Sequence, residues 1–273
     1  MARIVIKIGG SFITRKSESD AFPSKLEDIR GRGKQFIEDG RLRSIVSEIA
    51  QVHAGHGIML VHGAGPFGHA LVKRIREGEG IRVDDVHQSM LVLNSAVMGA
   101  LAEAGVPGVA RCPFDFARFD GDYLTADLTS RMTRDLAKSL VPVSHGDLVP
   151  ASASGSLGGY EVISGDVVAR DLALDWPADR IVMVTDMDGI LDRDPREGAG
   201  RTIDRLGYEE CLRILKHRSP RGADVTGGIV EKIRNCRDPI YAGTPLQIIS
   251  GLRPGHLASA SKGEEVGTII QAR

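Results

Sequence analysis

Hydrophobic and polar positions change their period repeatedly along the chain. Arg3 to Ile8, RIVIKI, is a β-branched run that stops at Gly9-Gly10, which predicts a buried strand. From Gly40 to Val52 the apolar residues Leu42, Ile45, Val46 and Ile49 fall at helical spacing. GIMLVHG then returns to a strand pattern, and two helices follow, from about Pro66 and from about Asp84 to Ala104. In the second, Val86, Met90, Leu93, Val97 and Leu101 share one face at steps of three and four. The polar stretch TRKSESDAFPSKLEDIRGRG reads as loop with some helix. Beyond residue 104 the alternation continues, with GVARC as strand, TADLTSRMTRDLAKSL as helix and VPVSHGD as strand. A glycine-rich connection leads to a helix from about Asp166, then DRIVMVTDMDG gives a strand ending in an acidic loop. Helical material around 207–217, a helix from Gly228 to Arg237 and the strands PLQIIS and GTIIQA complete the chain.

Strands alternating with helices predict an α/β fold, a three-layer sandwich around a central, largely parallel sheet. There is no internal repeat and no long linker, and ASASGSLGGY at 151–160 reads as a flexible hairpin, not a boundary. Residues 1–273 are therefore expected to form a single domain of two lobes that divide near residue 175.

Composition narrows the function. The 35 basic and 36 acidic residues are well mixed and leave a formal net charge of −1. Dedicated nucleic-acid and membrane-surface binders carry a basic bias, so neither partner is expected. Cys112, Cys211 and Cys236 are widely and irregularly spaced without a CxxC pair, which indicates buried thiols rather than a zinc site or disulfides. MARIVIKIGG has too short an apolar run for a signal peptide, and no stretch approaches a membrane span, so a cytoplasmic protein is expected.

In sheets of this kind ligands sit beyond the carboxyl ends of the strands. KIGGS places Lys7 just before Gly9 and Gly10. It reads either as a glycine turn with an edge lysine or as a phosphate cradle, because paired glycines aim successive amides at an anion. A buried ammonium needs an anion to meet it, which favours the cradle. In HGAGPFGH, Gly63 and Gly65 allow a sharp turn, and Pro66 suits the first helical position. The amides of that first turn form an anion site, with His69 within reach of its occupant. His62 reads equally as a hydrogen-bonded residue of the turn. In ISGDVVARDLA, Asp166 is a helix N-cap, a carboxylate that holds lysines, or both. TDMDGILDRDP sets Asp186, Asp188, Asp192 and Asp194 after a strand without the spacing of a calcium loop. It is a solvated turn or a nucleotide-edge loop. DVTGGIVEKIRN opens a helix with glycines and carries Lys232 on its second turn.

Together, KIGGSFITRK, HGAGPFGH, VHQSMLVLN, SGD, TDMDGILDRDP, DVTGGIVEK and the terminal GTII resemble the amino-acid kinase superfamily over nearly the whole chain. Within it, the histidine at 69 resembles that of the isopentenyl phosphate kinases, since members acting on carboxylates generally lack it.

The resemblance implies an amino-acid kinase fold with an acceptor lobe over about 1–175 and a nucleotide lobe over about 176–273. It implies ATP and Mg2+ as cofactors, a small-molecule phosphate as substrate, and a homodimer. Phosphoryl transfer from ATP to isopentenyl phosphate would rest on Lys7, His69, Asp166 and Lys232. ATP would meet Lys7, Gly9, Gly10, Lys16, Thr185, Asp186, Gly189, Gly228 and Lys232. The acceptor would meet Gly63, Ala64, Gly65, His69 and Gly165, and no residue is assigned as a metal ligand. Leu71, Val72, Ile75 and Met90 are candidate walls for a lipid tail and equally ordinary helix core. Three positions depart from the family pattern: Ala64 and Pro66 stand where glycine and serine are usual, and Val167 where a second aspartate is common. A kinase for another phosphate or phosphonate, similar to the fosfomycin kinases, is the alternative. A nucleotide-binding sensor without turnover is a further one.

Overall fold

The computed structural model describes residues 1–125, 127–151, 157–193, 200–218 and 227–273, without the side chains of Lys16, His217, Arg218 and Gly227. In chain order the strands are β1 (Arg3–Ile8), β2 (Gly57–His62), β3 (Gly108–Ala110), β4 (Val141–His145), β5 (Asp147–Pro150), β6 (Tyr160–Ile163), β7 (Arg180–Thr185), β8 (Arg205–Gly207), β9 (Leu246–Ser250) and β10 (Thr268–Gln271). Among the described residues, eight of them form one sheet in the order β3-β4-β2-β1-β7-β9-β10-β8, and β5 and β6 pair separately. The pairings from β3 through to β9 are parallel, and β10 turns antiparallel to β9.

Alternation along β1 decides which side chains face which layer. Ile4, Ile6 and Ile8 enter one core with the helices Asp39–Val52, Pro66–Arg76 and Val83–Glu103. Val5 enters the other, with Asp127–Leu136, Gly165–Asp175 and Gly227–Asn235. Lys7 shares the parity of Val5, so its side chain rises toward the layer that holds the Gly165–Asp175 helix.

Register then brings the strand ends into one row. Ile8 pairs with His62 and Val184, His62 pairs with His145, and Thr185 pairs with Ser250. The glycine turns all leave from this row.

Most predicted elements are present, with three differences. VPVSHGD breaks at Gly146, a position where a Cβ would lie 2.8 Å from the Gly165 amide; β5 leaves the main sheet and pairs with β6. β8 is too short to carry a periodic signal. The helix expected over 228–237 divides into Gly227–Asn235 and Arg237–Tyr241 at Cys236. Part of the 151–160 hairpin lies outside the described residues, as do Asp194 and Asp224 of the two loop motifs. The three cysteines are free and buried. Among the described residues no helix is long and apolar enough to cross a membrane.

Candidate active site

The floor of the site is backbone packed on backbone. The Gly9 amide donates to Val184 O at 2.9 Å, Gly63 donates to Ile8 O at 2.9 Å, and Gly146 donates to His62 O at 3.1 Å. A Cβ on Gly10 would lie 2.5 Å from the Gly65 amide and 3.0 Å from that of Ala64, and one on Gly165 would lie 3.0 Å from His62 O. These contacts require glycine for space rather than for dihedral freedom. Gly65 is different: its φ of +52° is a left-handed conformation, and a side chain there would run into Thr14. Ala64 has no positive φ, and its methyl occupies the room left by Gly68, where a Cβ would come within 2.7 Å of it. Pro66 takes the first position of the helix that Gly65 opens, and no side chain caps that helix. Pro66 has no amide and that of His69 donates to Gly65 O at 3.0 Å, so the helix's first-turn donors without an intrahelical acceptor are those of Phe67 and Gly68. Both departures from the family pattern are thus accommodated without loss of the turn.

Charge is concentrated above this floor. Lys7, only 4% exposed, places Nζ 2.6 Å from Asp166 Oδ1, and Lys232 Nζ lies 3.8 Å from Asp166 Oδ2. Lys232 also donates to Gly228 O at 3.1 Å. One carboxylate therefore faces two ammonium groups and leaves a net positive charge, which suits anionic phosphates. Asp166 is not the N-cap of its helix. Ser164 accepts from the Val167 amide at 3.2 Å and takes that role, which frees Asp166 for the lysines. Val167 packs partly against the core on that face. Lys16 opens a 3-10 helix, Lys16–Ala21, and its side chain lies outside the described residues.

The histidines of the turn differ. His69 is exposed on the first turn of the Pro66–Arg76 helix. His62 is fully buried, with Nδ1 3.1 Å from Gly63 O and Nε2 3.2 Å from Asn94 Oδ1; burial lowers its pKa, so it is a neutral structural ring. Leu71, Val72 and Met90 are buried in the core, so they are helix core in this structure.

On the far side of the row, Thr185 Oγ1 accepts from the Met187 amide at 3.1 Å and caps the acidic loop. Asp186 is exposed at its tip, and Gly189, at φ +134°, lies against Thr202 and Thr268. Asp188 accepts two hydrogen bonds from Arg253, at 3.1 and 3.0 Å, which hold its carboxyl below the usual range. That pair closes the loop after β7 onto the loop after β9.

The profile of the amino acid kinase family matches residues 2–250. The chain belongs to the amino acid kinase family. It is 31% identical to the isopentenyl phosphate kinase of Methanothermobacter thermautotrophicus, over 99% of each chain. It is 33% identical to that of Methanocaldococcus jannaschii, over 97% of each. An X-ray structure of an isopentenyl phosphate kinase superposes with a TM-score of 0.75 at 28% identity, covering 98% of this chain and 99% of the other. Two further site features carry no local sequence signal: the hydrogen bond between His87 and Asp147, and that between His62 and Asn94. Each joins the long helix Val83–Glu103 to a strand end.

Proposed function

We infer that this amino acid kinase transfers the γ-phosphoryl group of ATP to isopentenyl phosphate, giving isopentenyl diphosphate and ADP. The observation that carries the reading is Asp166 facing Lys7 and Lys232 beside a glycine floor whose helix presents His69. Similarity to isopentenyl phosphate kinases along almost the whole chain supports the choice of acceptor.

A terminal oxygen of the acceptor phosphate attacks the γ-phosphorus, a bond forms there, and the bond to the β,γ-bridging oxygen breaks with its electron pair leaving on ADP. A phosphate dianion is already a nucleophile, so no general base is needed, and positioning with charge stabilisation does the work. The amides around Gly63, Ala64, Gly65 and Gly165 hold the acceptor phosphate, and His69 donates to it. Lys7 and Lys232, fixed by Asp166, take up charge on the transferring group, with Gly9 and Gly10 close to the ATP phosphates. Lys16, at the start of the Lys16–Ala21 helix, is a further residue of the ATP site in this reading. Thr185, Asp186 and Gly189 border the nucleoside, and Gly228 lets the chain pass close to the phosphates. Residues 1–175 then serve the acceptor and residues 176–273 the nucleotide.

Magnesium enters with ATP, held mainly by phosphate oxygens and water. The reading extends to a cytoplasmic homodimer that serves isoprenoid biosynthesis from mevalonate. The test is ATP consumption with magnesium against isopentenyl phosphate, dimethylallyl phosphate, fosfomycin, short phosphate monoesters and acidic amino acids. Turnover is expected to be highest on isopentenyl phosphate. Preference for fosfomycin or another monoester would replace the substrate, and silence on every acceptor would replace the kinase with a nucleotide-binding sensor.

A further inference from the structure

On the face of the sheet opposite Lys7, a buried polar cluster lies under the helix Val83–Glu103. His62 and His145 are register partners on β2 and β4, with ring centroids 5.1 Å apart. Asp147, whose side chain has no exposed surface, accepts from His87 Nδ1 through Oδ2 at 2.8 Å and from the Leu148 amide through Oδ1 at 2.8 Å. His145 Nδ1 stands 3.6 Å from the same Oδ2. His87 and Asn94 are two helical turns apart and so share a face, where Val86, Met90, Leu93 and Val97 are apolar core. They are the polar feet of that face: Asn94 meets His62, and His87 meets Asp147.

Each foot rests on the acceptor floor. His62 continues directly into Gly63. Asp147 follows Gly146, whose amide bonds His62 O and which packs against the Gly165 amide. The His87 imidazole stacks on Phe114 at 4.1 Å and 18°, and Phe114 on Tyr160 at 5.8 Å and 11°, which ties the β5–β6 pair into the unit.

We propose that His87 is a positioning residue for the acceptor: through Asp147 it locks the helix Val83–Glu103 onto Gly63, Gly146 and Gly165, and so keeps the amides that bind the acceptor phosphate aimed. The proposal rests on the reading that this floor receives the acceptor. It assigns His87 no contact with substrate.

The titratable surroundings make the device readable. Asp84 on the same helix, Asp115 and Cys112 from the following segment, His145 from β4 and Asp147 from β5 surround the ring, with Tyr160 beyond Phe114. Burial works to lower the His87 pKa, but the hydrogen bond and charge of Asp147, with Asp115 and Asp84, outweigh it and the net direction is upward. Burial, with His62 beside it, pushes His145 down to about 3, and burial pushes Cys112 up to about 11, so neither changes charge around neutrality. The acceptor phosphate's own ionisation, near pH ~6, falls on the acid side. His69 donates to the acceptor in wild type and variant alike, so what belongs to His87 is the difference between wild type and His87→Gln in any alkaline loss of acceptor affinity.

The test is steady-state kinetics with isopentenyl phosphate and ATP across pH for wild type, His87→Ala and His87→Gln. His87→Ala is expected to raise the acceptor KM by about tenfold or more, the scale of a lost buried hydrogen bond. The ATP KM should stay within about twofold, as for an uncoupled site. His87→Gln, whose amide still donates to Asp147 but does not titrate, should restore most of the affinity and reduce its alkaline loss. An unchanged acceptor KM in His87→Ala, or equal rises in both KM values, would overturn the proposal. Should His87→Ala not fold, an alkaline loss of the same size in wild type and His87→Gln would overturn it and a smaller loss in His87→Gln would support it. If wild type ignores isopentenyl phosphate, the functional reading has failed separately. Amide exchange then decides: once the intrinsic base-catalysed rate is divided out, protection at Gly63, Gly146 and Gly165 that falls above neutral pH in wild type but not in His87→Gln supports the lock, and protection with the same pH dependence in both overturns it.

Discussion

Two glycine–aspartate pairs lie back to back at the strand ends, Gly146-Asp147 and Gly165-Asp166, and they have opposite tasks. Their glycines pack against each other, and their acids diverge to the two faces of the sheet. Asp166 meets two lysines above the glycine floor, where the proposed function places the chemistry. Asp147 meets a histidine on the core side and reaches the site only through backbone. The same dipeptide thus meets ammonium groups on one face and an imidazole on the other, and the two proposed roles, charge handling and alignment, follow from the partner.

The comparison breaks most visibly at Lys7. Lys7→Met leaves the Asp166 carboxylate buried with Lys232 alone at 3.8 Å. We expect kcat to fall by roughly 10²–10³, the scale of one preorganised donor. Breaking a buried pair should also cost about 3–5 kcal/mol of stability. Stopped assays and denaturant melts read the two effects, and a kcat near wild type would contradict the role of Asp166 in holding that charge.

Gly10→Ala attacks the shared floor. Its methyl would meet the Gly65 and Ala64 amides, which are backbone and cannot swing aside. A loss of about 1–3 kcal/mol is expected, with both substrates binding more weakly. Unaltered KM values would mean the two glycine turns are not one surface.

A smaller effect separates the two acids by pH. The His87 pKa is raised in the folded state, so its contribution is complete below the ordinary imidazole value of about 6.5 and is lost as pH rises through the raised value. The stability gap between wild type and His87→Gln should therefore be largest in mild acid and narrow on the alkaline side. A gap independent of pH would show that Asp147 and His87 do not interact as charges. The smallest change is expected for Ser164→Ala, which removes the cap and leaves Asp166 in place. Melting should report a loss of about 0.5–2 kcal/mol with kcat little affected. A large fall in kcat would mean that the cap, rather than Lys7, fixes Asp166.

Much of this was legible from residue order alone. A charged residue inside RIVIKI marked Lys7, and the glycine spacing with Pro66 marked the turn. What stayed hidden depends on distance along the chain. Ser164 and Asp166 are both good capping residues; Ser164 takes the cap while Asp166 pairs with Lys7, far earlier in the sequence. His87 and Asp147 are 60 residues apart, and neither looks unusual in its own segment. The β5–β6 pair stays hidden because VPVSHGD reads as one strand across Gly146, while its partner, Tyr160–Ile163, lies on the far side of a glycine-rich connection.

The most direct measurement is the turnover of isopentenyl phosphate by His69→Gln, with nucleotide affinity measured by calorimetry on the same protein. If the turn opened by Gly65 holds the acceptor phosphate and His69 donates to it, kcat should fall by about 10² or more while ATP affinity stays unchanged. Wild-type turnover in that variant would contradict the account at its centre.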